Sequence, residues 1–149
     1  MPNSIPKICG GSLEPVLDAI SYILKEKVHL EVTTMIMENF HTPEMIGFLG
    51  KNLKELGVQV WHLSRFFPCY RFSFGKPTSE AYLLEMLGQA RLSAIPYIYG
   101  GNSSREDATY CPSCDTCLMT SHSYDKKSIQ AIENGCCVHC GSAIYGVFS

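Results

Sequence analysis

The chain has 149 residues, 46% of them hydrophobic and 17% charged, with a formal net charge of −2. That length holds one domain, or one domain with a small appendage, and the hydrophobic content excludes a disordered chain. The near-neutral balance gives no electrostatic case for a nucleic-acid surface, so nucleic acid is not an expected partner.

Ser12 is positioned to cap a first helix, with Glu14 and Pro15 in its opening turn. Leu13, Val16, Leu17, Ile20, Ile23 and Leu24 then recur at helical spacing. Val28 to Met37 is rich in β-branched residues and alternates, setting Leu30, Val32 and Ile36 opposite His29, Glu31 and Thr33; this predicts a strand. Thr42-Pro43-Glu44 predicts a second helix start, namely a cap, a proline at the first helical position and an acid facing the dipole. That helix is expected to reach about Leu56 and to close on Gly57. Val58 to Phe66 reads as a second strand, Phe67 to Pro77 as a loop, and Thr78 as the start of a third helix. Ala94 to Tyr99 is a short third strand, with Pro96 suited to a sheet edge or a strand end. This order, with short connections, predicts βα units on a parallel sheet.

Gly100 to Ser104 reads as a linker, dividing the chain into 1–104 and 105–149. The N-terminal segment has no apolar stretch behind a basic start, and no run approaches the ~18 apolar residues of a membrane span. A cytoplasmic location without membrane association is therefore expected. There, clustered cysteines bind metal more often than they pair as disulfides.

Six of the eight cysteines lie between Cys111 and Cys140. Cys111-Pro-Ser-Cys114 and Cys137-Val-His-Cys140 form two C-x-x-C pairs separated by 22 residues. Each pair can set two sulfurs on one ion, and the intervening segment returns the chain to close a tetrahedron. Gly141 suits the left-handed turn of such a knuckle. Four thiolates fit a structural zinc ion with no open position. Cys117 also makes the first knuckle C-x-x-C-x-x-C, an iron–sulfur-like run, and Cys136 offers a one-residue slip of register. The zinc reading uses both knuckles symmetrically and leaves Cys117 and Cys136 as spectators.

Outside the tail, His62 on its strand is either a core histidine or a ligand. Glu31, within an apolar strand, needs a partner, a polar cavity or an uncovered sheet face. Arg65 ends a strand where α/β folds bind ligands, or is a surface charge. Gly10-Gly11-Ser12 is a weak phosphate-loop signal. Phe66, Phe67, Tyr70, Phe72 and Phe74 form an aromatic loop that covers a core edge or a partner surface.

Taken together, several segments resemble a known family. They are Lys7-Ile-Cys-Gly-Gly-Ser-Leu-Glu-Pro-Val16, Glu31-Val-Thr-Thr34, Trp61-His-Leu-Ser-Arg-Phe66 with Pro68 and Tyr70, and Tyr97-Ile-Tyr99 with Gly101-Asn102. Thr109-Tyr-Cys-Pro-Ser-Cys114, Cys140-Gly141 and Gly146-Val-Phe148 complete the set. The pattern resembles the C-terminal half of AmmeMemoRadiSam-type radical SAM enzymes, relatives of pyruvate formate-lyase activating enzyme. The resemblance covers essentially the whole chain. It implies a partial parallel (β/α) barrel half with a zinc-ribbon-like appendage, and it implies Glu31, Thr33, His62, Ser64 and Arg65 as cofactor-binding groups. The family cleaves S-adenosylmethionine with a [4Fe–4S] cluster held by C-x-x-x-C-x-x-C, which this sequence lacks; Cys9 and Cys69 are isolated. The Glu38-Asn-Phe-His41 segment also departs from the family's Pro-Gly-x-Asn-Asp. The expectation is therefore a portion that is not catalytic alone. S-adenosylmethionine and the cluster would come with a separately encoded N-terminal half, and that half or self-association would cover an open sheet edge. The alternative is a non-enzymatic zinc-ribbon interaction module on a small α/β platform.

Overall fold

A computed structural model describes residues 10–73, 75–105, 107–122 and 126–148. Lys7 to Cys9 and Phe74, which figured in the motifs above, lie outside the described residues. The chain divides into two compact units, Met1–Gly101 and Asn102–Ser149. The fold is mixed α/β with small sheets. Among the described residues no helix is long and apolar enough to cross a membrane.

In the first unit, α1 (Glu14–Lys25) is followed by β1 (Glu31–Ile36), α2 (Pro43–Leu56), β2 (Val60–Arg65), α3 (Glu80–Arg91) and β3 (Tyr97–Gly101). The strands pair in parallel in the order β1-β2-β3, with Glu31 opposite Val60 and Val60 opposite Tyr97. Pro96 immediately precedes the edge strand β3, where its missing N–H costs no ladder bond. The expected strand from Val28 begins only at Glu31, because β2 starts at Val60 and offers no pairing partner to the earlier residues.

α2 starts and stops as its sequence dictates. Thr42 Oγ1 accepts the Met45 N–H at 3.4 Å, and Gly57 adopts φ +94° to send its N–H back to Lys54 O. The other two starts differ from expectation. Ser12 does not cap α1; Leu13 occupies the cap position without a side-chain bond. A cap at Ser12 would address the N–H of the third helical residue, and that residue would be Pro15, which has none. α3 is capped by Ser79, whose Oγ accepts from Tyr82 N at 3.2 Å. Thr78 instead buries its hydroxyl and donates to Ile36 O at 2.5 Å.

All three helices contribute to one apolar core against one face of the sheet. Ile20 of α1, Ile46 and Leu53 of α2, and Leu83, Met86 and Ala90 of α3 join Ile36, Trp61 and Leu63 from the strands. Val32, Thr34 and Ile36 of β1 register with Trp61, Leu63 and Arg65 of β2 on this face. Trp61 is fully buried, and its Nε1–H donates to Thr34 Oγ1 at 2.9 Å, which satisfies the indole across the strand pair. Gly50 lets α2 approach that indole. A Cβ there would stand 2.8 Å from Ser93 Cβ and 2.9 Å from Trp61 Cζ3.

The second unit has an antiparallel sheet of β4 (Asp107–Tyr110), β5 (Cys117–His122) and β6 (Lys126–Ile129), and a short hairpin of β7 (Ile132–Glu133) and β8 (Cys136–Cys137). Among its described residues, Thr109, Cys111, Leu118, Ala131, Cys137 and Ile144 are buried.

Candidate metal centre and the polar sheet face

Each C-x-x-C pair occupies a tight turn after a strand, Cys111 and Cys114 beyond β4, Cys137 and Cys140 from the end of β8. The two turns are built alike. Cys111 N donates to Thr116 O and Asp115 N to Cys111 O, both at 2.9 Å; Cys137 N donates to Ser142 O at 2.9 Å and Gly141 N to Cys137 O at 2.8 Å. Asp115 and Gly141 hold the same left-handed position, with φ of +56° and +74°. Glycine reaches that region without strain, and aspartate is among the few other residues that tolerate it.

The turns bring four sulfurs together, all within 4.8 Å of one another. Cys111 Sγ lies 3.6 Å from Cys140 Sγ, and Cys114 Sγ lies 3.7 Å from Cys137 Sγ. A tetrahedron with metal–sulfur bonds of ~2.3 Å has edges of about 3.8 Å, so the set fits one ion. A four-iron cluster gives each thiolate its own iron and spreads the sulfurs further than one ion does. Cys117 stands outside the group, with its Sγ 3.9 Å from Met119 O, and Cys136 is likewise outside it.

The four thiols differ in setting. Cys111 and Cys137 are buried, Cys114 is half-buried and Cys140 is exposed. Burial pushes the Cys111 thiol up to about 11, against the pull of the Ser113 and Cys114 N–H groups. Hydrogen bonds from the Ser142 hydroxyl and backbone N–H hold Cys140 down to about 6. Thr116 and Ser142 went unremarked in the sequence, although aligning the knuckles reveals them as C-x-x-C-D-T and C-x-x-C-G-S.

The second cluster lies on the sheet face opposite the helices. Glu31, Thr33 and Met35 of β1 register with Val60, His62 and Ser64 of β2, and those with Tyr97, Tyr99 and Gly101 of β3. Glu31 is both partnered and half-exposed, combining two of the three settings open to it from sequence. His62 Nε2–H donates to Glu31 Oε2 at 2.8 Å, and His29 Nε2–H donates to Oε1 at 3.0 Å. The His29 hydrogen bond is the largest cause holding this carboxylate below its usual range, reinforced by His62 and opposed by partial burial. The His62 ring lies 5.2 Å from that of Tyr99, tilted by 32°. The two imidazoles thus hold the carboxylate from both sides at the start of β1, each oxygen accepting from one ring.

Arg65 does not join this group. It shares the helix-side face with Trp61 and Leu63, where Nε donates to Thr78 O and Nη1 to Glu80 Oε1, both at 2.6 Å. Its guanidinium also lies 4.9 Å from the Phe67 ring centroid, so it fastens the end of β2 to the start of α3. Gly10 and Gly11 are exposed, and no described side chain lies within 4 Å of a Cβ built at either. A surface groove lined by Phe48, Lys51, Gln89 and Leu92 shares no residue with either cluster.

No protein-family model and no solved structure matches this chain. A curated relative from Methanocaldococcus jannaschii, "Uncharacterized protein MJ0808", is 32% identical over 148 aligned residues. The alignment takes in 93% of this chain and 43% of that protein, so the chain spans less than half the length of the curated relative it matches.

Proposed function

We propose that this chain is the C-terminal portion of a radical SAM activase-like protein, holding one structural zinc ion and not catalytic by itself. The observation that carries this reading is the sheet face opposite the helices, which presents Glu31, Thr33, His62 and Ser64 together. In a parallel (β/α) barrel the helices stay on the outer face and groups at the C-terminal strand ends address substrate, the end at which Ser64 lies on this face, while Glu31 opens β1 at the other end. A doubly wound sheet instead carries helices on both faces. The order β1-β2-β3, with all three helices in one core, is what a segment of barrel wall requires. The 43% coverage of the archaeal relative suits a portion of a longer protein.

The sequence contains no C-x-x-x-C-x-x-C, so its residues do not fit a radical-generating cluster. Cluster and S-adenosylmethionine would enter with a separate N-terminal half, for which the edge of β1, unpaired among the described residues, offers a seam. Cys111, Cys114, Cys137 and Cys140 would hold the zinc. Four protein thiolates leave it no open position, so it supplies folding energy and no chemistry.

Affinity purification of the tagged chain from its native cells is the test. The reading expects a partner bearing C-x-x-x-C-x-x-C, with iron–sulfur colour and S-adenosylmethionine binding that His62→Ala weakens in the intact complex. The second reading is a non-enzymatic zinc-ribbon interaction module, favoured by the closed sulfur tetrahedron. A colourless chain with one zinc, no such partner and no affinity for S-adenosylmethionine would replace the first reading with the second.

A further inference from the structure

The two knuckles repeat one another beyond their cysteines. In each, the first cysteine is buried and the second lies further outward, Cys114 half-buried and Cys140 exposed. In each, the residue two positions after the second cysteine carries a hydroxyl, and that hydroxyl meets the outward sulfur. Thr116 Oγ1 lies 3.2 Å from Cys114 Sγ with either atom able to donate, and the Cys140 thiol donates to Ser142 Oγ at 3.3 Å, a bond that reverses when the sulfur is a thiolate. The left-handed residue between them, Asp115 or Gly141, turns the chain back and sets the hydroxyl over the sulfur.

We propose that Thr116 and Ser142 are positioning residues of the metal centre, each capping the outward thiolate of its knuckle with an O–H···S hydrogen bond. The inference rests on the four-cysteine metal reading and extends it from the ligands to the groups behind them. Four thiolates on a divalent ion carry excess negative charge, and sulfur lone pairs that face solvent are open to protons and electrophiles. A hydroxyl donor withdraws charge from the sulfur and occupies that lone pair. The buried sulfurs lack this exposure; the Ser113 and Cys114 N–H groups already serve Cys111. Groups behind metal ligands orient them and tune the ion, and their loss commonly costs 10–100-fold in metal affinity. The hydroxyls therefore set how long the site keeps its metal, in addition to how the turn folds.

The full-length chain loaded with cobalt(II) provides a spectroscopic test, because thiolate-to-metal charge transfer reports the electron density on sulfur. Thr116→Val and Ser142→Ala should each move the charge-transfer band to lower energy. Each should also speed zinc transfer to a chelator by roughly tenfold. Thr116→Ser and Ser142→Thr, which keep the hydroxyl, should retain the wild-type band and rate. Unchanged band and rate in the hydroxyl-deleted variants would overturn the proposal. So would equal damage in the hydroxyl-retaining pair, which would give these positions a packing role alone. Failure of the wild-type chain to bind cobalt tetrahedrally would overturn the metal reading beneath it.

Discussion

The two units solve the problem of folding a short chain by different means. The first buries a continuous apolar cluster between three helices and one sheet face, centred on Trp61, Leu63, Leu83 and Met86. Among its described residues, the second buries Leu118, Ala131 and Ile144 around two buried cysteines, a small apolar set for ordering its backbone. On the metal reading, its order comes from four sulfurs converging on one ion. The contrast lies in what holds each unit: the first carries an exposed polar cluster on an apolar scaffold, whereas in the second, on the metal reading, the cluster is the scaffold.

Metal removal should break this comparison most completely. A structural zinc ion contributes apparent binding free energies of about 10–16 kcal/mol to the folding of small domains. Chelation, or Cys137→Ser, should erase the dispersed amide resonances of residues 102–149 and leave those of the first unit in place. Persistent dispersion in both units would place the second unit's stability elsewhere. Trp61→Ala should reverse the pattern, costing the first unit about 3–5 kcal/mol in denaturant unfolding followed by helical circular dichroism while metal content is unchanged. Gly50→Ala should cost about 1–3 kcal/mol, since its Cβ meets the Ser93 Cβ and Trp61 ring at under 3 Å.

Two smaller effects depend on pH. Burial lowers the pKa of His41, whose Nδ1 accepts the Met37 N–H at 3.1 Å. The unfolded chain therefore binds the proton first. The stabilisation is present above the ordinary histidine pKa and is lost as pH falls from about 6.5 toward the lowered native value. Urea midpoints at pH 7.5 and 5.5 should differ less in His41→Asn than in the wild type. Glu31 has a lowered pKa too, so its contribution is present above the ordinary carboxylate range and disappears as pH falls through the native value. Because its side chain is half-exposed, Glu31→Gln should cost less than about 1 kcal/mol, and its pH dependence should be confined to acid.

What the sequence disclosed follows from how local each signal is. Thr42 and Gly57 bracket α2 because cap chemistry depends on residues three or four positions away. The alternation through β1 separates Glu31 and Thr33 from Val32 and Ile36, because strand parity is local as well; His62 and Ser64 join them through the family resemblance, and the register of β1 against β2 puts the four on one face. Arg65, grouped with them by its strand-end position and by the resemblance, has the other parity and lies on the helix side, bonded to Thr78 and Glu80. Thr78 and Ser79 were not separable by local rules. Which of two adjacent hydroxyls caps α3 depends on Ile36, 42 residues away, whose carbonyl claims Thr78. The convergence of the four sulfurs follows from spacing, whereas the pairing of Glu31 with both His29 and His62 required the register of β1 against β2.

Trp61 is the single tryptophan of the chain, and it is sealed within the first unit beneath Gly50 and bonded to Thr34. Its emission therefore reports one unit only. Thiolate-to-metal absorption, with cobalt in the four-cysteine site, reports only the other. The visible d–d bands of tetrahedral cobalt lie clear of tryptophan emission, so the molecule carries one optical signal for each mode of folding, and the order in which its halves come apart is readable from a single cobalt-loaded sample.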